Sequence, residues 1–455
     1  MSEKPEKYAI VGGGMLGITL ALRLAQSGKR VTLFEASEHL GGLADAWKIG
    51  DVRWDRHYHV TLLSDSYTRK ILDEVGLDEE MKWVETKTGV YADGKLHSLS
   101  SSWEFLTFKP LSLLSKFRLG LTIFAGSRIR NWKKLEKISV SDWLTKWSGK
   151  KVFQRFWLPL LRSKLGDNYK KTSAAFIWAT IARLYAARRT GLKRELFGYL
   201  PGGYGRLTDA LQPHLEKLGV DVRLNSPIQS VTHQEGQVVV SLSEGATEEF
   251  DRAVLTIPSG LVTRMLPQME QAEGQAHQAI EYQGIVCASL LSKKPLADYY
   301  VTNITDGTAP FTGVIEMSAL VDRSEFADQH LVYLPYYVPE GDPLFEQTDE
   351  QIQESSLAGL EAMYPNFSRE DMVAFRVSRV PRVMPIPTLR YSEKLPSVQS
   401  SVRGVYVVNS AQIVNGTLNV NETVRLGENA AQDLLKDPTP HKLSKAGPRH
   451  VETAR

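Results

Sequence analysis

The chain has 455 residues, of which 42% are hydrophobic and 24% charged, and its net charge is +3. That length exceeds one ordinary core, and this balance excludes disordered and collagen-like chains. A single cysteine, Cys287, excludes an intramolecular disulfide, a C-x-x-C redox pair and a cysteine metal cluster. The polar start, MSEKPEK, lacks the apolar run of a signal peptide. The longest apolar candidate, LSLLSKFRLGLTIFAG, is broken by Lys116 and Arg118, so no membrane span is expected. A cytoplasmic protein fits these features.

Tyr8 to Val11 is short, β-prone and followed at once by glycine, which predicts a buried strand. Gly12, Gly14 and Gly17 then match G-x-G-x-x-G. From Met15 to Ser27, Ile18, Leu20, Leu22 and Leu24 fall on more than one helical face, as in a helix covered on both sides. Gly28 sits where a helix end takes a left-handed residue, and RVTLFE, Arg30 to Glu35, reads as the second strand. Each part has a task in dinucleotide binding. Gly12 permits the tight turn, Gly14 admits a pyrophosphate close to backbone, and Gly17 lets helix and strand pack closely. The helix start at Met15 and Leu16 offers free N–H groups to phosphate. Glu35, followed by Ala36, can accept from ribose hydroxyls, and its charge repels a 2′-phosphate, which favours FAD or NAD over NADP.

Further along, VRWDRHYHVTL (Val52 to Leu62) reads as a loop entering a strand. Residues 101–197 read as a helical insert. GYLPGGYGRLTDALQPHLEKLG is a glycine turn opening a helix, and VDVRLNSPIQSV, QVVVSL and DRAVLTIP are strand-like. A helix is expected near Asp349 to Met363, then a strand in GVYVVNSAQI and a helix opening at NVNETVRLGENAAQDLL. The expected fold is α/β with α+β elements. A Rossmann-like nucleotide-binding domain takes residues 1–100, 198–265 and 396–436, and an interleaved substrate domain of mixed sheet takes 266–395. Residues 437–455 are rich in proline and charge and read as a disordered tail.

These motifs together resemble the superfamily of FAD-dependent amine oxidases, protoporphyrinogen oxidases and phytoene desaturases. The resemblance implies that Gly41 and Gly42 lie along the FAD pyrophosphate and ribityl chain, although Leu43 stands where many members carry arginine. It implies that WDRHYH passes beneath the flavin ring, putting His57, Tyr58 and His59 near it, and that Ile228 contacts adenine through its backbone. It also implies that the helix start at Val420 and Asn421 aims at flavin N1 and O2, where a reduced flavin carries negative charge. Asn409-Ser410 replaces the usual glycine-acid pair, leaving Ser410 as a weaker ligand. No cysteine lies near this closing motif, so the implied FAD is non-covalent. The implied activity is hydride removal from a C–H bond of an apolar or anionic substrate that is porphyrinogen-, isoprenoid- or amine-like. The alternative is a non-redox flavoenzyme resembling UDP-galactopyranose mutase and acting on a nucleotide sugar.

Histidine titrates near neutrality, so His57 and His59 are candidates for proton handling, with packing and backbone contact the plainer alternative. Arg162, Lys164, Tyr204 and Arg206 are candidates for contacting an anionic substrate, and each also has a structural reading. No metal is expected beyond the weak pair His57 and His59. Between Lys109 and Arg194 the chain has 21 lysines and arginines against three acids, with five of its nine tryptophans. Attraction to an anionic membrane surface or an anionic substrate is the favoured reading of this insert, with peripheral attachment at the inner membrane face. A solvated helical face is the alternative. No nucleic-acid module accompanies the charge, so no nucleic-acid partner is expected.

Overall fold

The computed structural model describes residues 5–100, 102–188, 196–307, 309–414 and 417–437, so the tail from 438 onward lies outside the described residues. A five-stranded, all-parallel sheet runs in the order Asp221–Arg223, Arg30–Phe34, Lys7–Val11, Arg252–Leu255, Val405–Val407. Its central strand is buried on both faces, which is why Tyr8 to Val11 is continuously apolar rather than alternating. The helix Met15–Gln26 covers one face and is itself covered, since Leu16, Leu20 and Leu24 share a core with Leu207, Leu211, Val424 and Ala431. Gly28 ends it with φ of +79°. The fold is α/β, and its parallel sheet is assembled from both chain ends and the middle.

A seven-stranded sheet forms the second layer, in the order Met372–Pro385, Tyr282–Ser292, His330–Pro339, Gly313–Glu316, Val301–Ile304, Thr88–Ala92, Lys95–Ser98. Every residue of Tyr282–Ser292 is buried. The helix Asp349–Met363 opens with a capping box between Thr348 and Gln351 and packs Ile352, Leu360 and Met363 on one face. Trp54 and Ile49 pack on the other, against Ile285, Cys287 and Tyr333.

Three expectations need correction. Val52–Asp55 is a strand, paired antiparallel with Ala46–Ile49, where a loop was read. VDVRLNSPIQSV is two strands, Asp221–Arg223 and Ile228–Gln234, in different sheets, and Asn225 turns between them with φ of +51°. The first nucleotide-binding segment stops short of residue 100, because Thr88–Ala92 and Lys95–Ser98 join the seven-stranded sheet. A hairpin's pattern of alternating residues fits any sheet edge, so sequence alone left its partner open.

Arg23 ties three helices together. Its Nη2 lies 2.6 Å from Glu74 Oε1 and 2.5 Å from Glu428 Oε1, joining Met15–Gln26 to Ser66–Glu74 and Val420–Lys436. Arg23→Ala leaves two largely buried carboxylates facing each other, and the expected loss is about 3 kcal/mol of stability. A urea midpoint that does not move would show that the triad is not structural.

Candidate functional site: a glycine cradle and an aromatic wall

The strand Lys7–Val11 ends in a turn that only glycine fits. Gly12 has φ of +111°, and a Cβ on Gly17 would sit 1.9 Å from the Gly12 carbonyl oxygen. The following helix starts with Gly14 as N-cap, with no capping side chain and no acid in its first turn. A second glycine pair meets the first. Gly41 N–H donates to Gly13 O at 2.8 Å, Gly41 and Gly14 form a parallel bridge, and a Cβ on Gly42 would lie 3.2 Å from Gly14 Cα. At Gly14 itself a Cβ would point into open space, with Gly41 O the nearest atom at 4.0 Å. The result is a strip of bare backbone beside uncapped helical N–H groups, which fits the diphosphate of a dinucleotide. Met15 and Leu16 bury their side chains, so only their backbone serves this strip.

Glu35 has a second task that its place in the motif did not reveal. Its Oε2 accepts from Gly13 N–H at 2.6 Å, and its Oε1 accepts from Ser37 N–H and Oγ–H at 2.9 and 2.7 Å. The carboxylate thus braces the glycine loop and retains acceptor capacity for a ribose. Ala36 beside it is exposed. The chain leading to Ile228 is tied here too, through Asn225 N–H to Ser37 O and Ser226 N–H to Glu35 O. Ile228 buries its side chain, leaving backbone as its only means of contact.

From Gly42 the chain enters a single turn, Gly42–Ala44, whose Leu43 carbonyl faces His57 Nδ1 at 3.4 Å. A carbonyl only accepts, so Nδ1 carries the hydrogen and Nε2 accepts from Ser378 Oγ–H at 3.2 Å. Burial, reinforced electrostatically by the neighbouring His59, lowers the His57 pKa from 6.5 to about 3. His57 is therefore neutral at physiological pH. Tyr58 OH shares a 2.8 Å hydrogen bond with Tyr337 OH, and burial pushes the Tyr58 phenol well up. Tyr333, its ring centroid 6.1 Å from that of Tyr58, donates its hydroxyl to the Asp55 carbonyl. Lys164 Nζ stands 5.1 Å from the Tyr337 ring centroid. His59 Nδ1 is 3.7 Å from Asp55 Oδ2, and its ring is 5.1 Å from that of Tyr204, whose hydroxyl meets Thr61 Oγ1 at 2.8 Å.

The structure thus joins Tyr58 and Lys164 through Tyr337, which the sequence reading missed. Its signal was present in YLPYYVP: Tyr333 and Tyr337 are four apart on a strand and share one face. Two candidates point elsewhere. Arg162 stacks near Tyr169 at 5.7 Å and lies 3.9 Å from Asp167, on the side of its helix away from Lys164. Arg206 is held by both oxygens of Glu80 at 2.8 and 2.7 Å. The Asn421 side chain is engaged within the protein. It accepts from Tyr67 and Thr68 N–H at 2.9 and 3.2 Å and caps the helix Ser66–Glu74, so only the backbone of this residue can serve a ligand. Asn419 caps the closing helix Val420–Lys436 by accepting from Glu422 N–H, not from Val420 or Asn421. Asn409 clamps the neighbouring loop, donating to Ile257 O at 2.9 Å, while Ser410 lines a small crevice with Met384 and Tyr391. Both ring nitrogens of His57 are engaged, and among the described residues no three His, Cys, Asp or Glu groups converge.

Residues 16–435 match the family model described as flavin containing amine oxidoreductase. The chain belongs to this family. It is 22% identical to 15-cis-phytoene desaturase of Arabidopsis thaliana, covering 99% of this chain and 83% of that protein. It is also 22% identical to hydroxysqualene dehydroxylase of Zymomonas mobilis, covering 93% and 97%. A crystal structure of reduced UDP-galactopyranose mutase has the same fold, with a TM-score of 0.74 and 16% identity over 94% of this chain and 95% of that one. The protein is an FAD-dependent oxidoreductase. The glycine strip, the uncapped helix and Glu35 are the residues that would hold FAD, which supplies a hydride acceptor when bound.

Two measurements check these assignments. Glu35→Ala removes both the ribose acceptor and the Gly13 brace. It is expected to weaken FAD retention by about 1.5–3 kcal/mol, read as faster loss of FAD on dialysis, while Glu35→Gln loses less. For His57, the folded-state pKa lies below the unfolded value, so the unfolded chain takes up the proton first. Its contribution is complete above pH 6.5 and falls as pH drops toward 3. At pH 5 the native protein should therefore lose about 2 kcal/mol more than His57→Asn, relative to pH 7, in paired urea titrations. Burial raises the Asp45 pKa, but that group is shared by both proteins and cancels.

Proposed function

We propose that this FAD-dependent oxidoreductase removes a hydride from a C–H bond of an apolar, isoprenoid-like substrate. One observation carries the reading: Tyr58, in the segment Asp55–His59, packs with Tyr333 and Tyr337 into a wall of neutral aromatic groups, with His57 beside it held uncharged. A carbon that gives up a hydride gains positive charge, and electron-rich tyrosine faces stabilise such charge without a fixed anion. Desaturation also releases a proton from the neighbouring carbon. His59, oriented toward Asp55 at 3.7 Å, is the group this reading assigns to it. The names of the relatives, a phytoene desaturase and a hydroxysqualene dehydroxylase, support a long, largely apolar isoprenoid substrate.

A nucleotide sugar would bring a diphosphate and call for paired cations. Arg162 lies beside Asp167 and Tyr169, and Arg206 is committed to Glu80, which leaves Lys164 without either as a partner. The test is anaerobic mixing of the FAD-loaded protein with a solubilised linear isoprenoid hydrocarbon while flavin absorbance is followed. Bleaching is expected, and His59→Gln should bleach at least roughly a hundredfold more slowly with an unchanged resting spectrum. Spectral perturbation by a nucleotide sugar, with no bleaching by hydrocarbons, would overturn the reading in favour of non-redox chemistry.

A further inference from the structure

The helix Leu113–Arg128 is built inside out. Its buried residues are Ser115, Lys116, Leu119, Thr122 and Gly126, mostly small or polar. Thr122 Oγ1 meets Ser148 Oγ at 2.8 Å, and Gly126 lets Ile181 and Trp143 approach its backbone. The opposite face carries Leu113, Leu114, Phe117, Leu121 and Phe124, with the first three 74, 69 and 69% exposed. Trp103, 73% exposed on the adjoining helix Ser102–Thr107, extends the patch. A helix resting on a protein core turns its apolar side inward. Here the large apolar groups look outward, which marks an interaction surface.

Charge identifies the occupant. Lys109, Arg118, Arg128, Arg130, Lys133 and Lys134, on these helices or within six residues of them, are all exposed, and Arg128 lies 4.9 Å from the Phe124 ring centroid. From residue 105 to 141 the sole acid is Glu136, which is buried and accepts from Ser392. A second copy docking through this same face would bring like charge against like charge. An anionic lipid surface offers both what the leucines and phenylalanines need and what the cations need. Lys116 is not part of this surface. It is buried and donates to the Leu106 carbonyl at 2.5 Å, which fixes the two helices to each other. Leu111 and Leu119 are likewise buried in the insert's core. We infer that the outer face of Ser102–Thr107 and Leu113–Arg128 docks on the headgroup boundary of an anionic membrane, apolar side chains inserted and cations beside lipid phosphates.

The test uses the FAD-loaded full chain and sedimentation with vesicles of phosphatidylcholine, alone or mixed with phosphatidylglycerol. Binding should grow with phosphatidylglycerol and weaken with salt. Leu113→Ser/Leu114→Ser/Phe117→Ser should lower the bound fraction roughly tenfold. Lys133→Glu/Lys134→Glu should reduce the dependence on phosphatidylglycerol, with the flavin spectrum of both variants reporting an intact fold. A protein that stays in the supernatant with anionic vesicles at low salt would overturn the inference. So would a self-association, seen by sedimentation velocity, that the triple variant abolishes. Vesicle binding is read without substrate, so its failure leaves the proposed chemistry standing, and failed bleaching leaves the surface standing.

Discussion

Two strips of glycine backbone lie against each other at the centre of this molecule, and its other functional contacts are referenced to that meeting. Gly13 and Gly14 meet Gly41 and Gly42 through a 2.8 Å backbone hydrogen bond and a parallel bridge, and a Cβ on Gly42 would press to 3.2 Å from Gly14 Cα. Their bare surface directs the first helix's N–H groups outward, and Glu35 holds Gly13 in place from the side. The second strip continues into the turn Gly42–Ala44, whose Leu43 carbonyl fixes His57. His57 then reaches Ser378 on the seven-stranded sheet. A line of hydrogen bonds therefore runs from the nucleotide-binding loop to the substrate layer, and a shift in either glycine pair would move the aromatic wall with it.

That line also explains the chemistry of the wall. A histidine buried this deeply stays neutral because its charged form would lose hydration with no carboxylate to compensate. The tyrosines around it are pushed the same way, toward their uncharged phenols. The carboxylates nearby are satisfied by other means. Asp55 accepts from Gly205 N–H, and Asp65 accepts from Leu62 N–H and from Arg183 at 2.9 Å each. The surroundings are polar in composition and nearly neutral in charge, and in such a low-dielectric space an uncharged substrate incurs little desolvation cost.

What the sequence disclosed follows from how local each feature is. The glycine loop, Glu35, the helix Asp349–Met363 and the closing helix all announce themselves within a dozen residues, through turn chemistry, capping and apolar period. What the sequence did not disclose is long-range. Nothing near Thr88 says that its strand will lie parallel to Val301–Ile304. Nothing near Asn421 says that its side chain will cap a helix beginning at Ser66, 355 positions earlier. Arg162 and Lys164 look alike in sequence, yet two positions on a helix put them on opposite sides, and only Lys164 meets Tyr337. Tyr337 itself was visible only as one of several tyrosines until the strand's period was applied.

The basic insert connects these two scales. Its cations outnumber its acids so heavily that some external or internal anion had to be sought, and the fold divides the answer. Lys116 is spent on a backbone carbonyl, Arg183 on Asp65 and Lys171 on Glu281, all structural uses. Those on the outer rim, from Lys109 to Lys134, surround an apolar face that the insert's own core does not need. The helix Leu158–Leu165, in the same insert, carries Lys164 to the aromatic wall and packs beside His330–Pro339. One helical unit thus presents apolar groups to the outside and lines the site within. Hydrocarbons are scarcely soluble in water and collect in lipid, so the proposed docking at the headgroup boundary would place this same unit where the proposed substrate is concentrated.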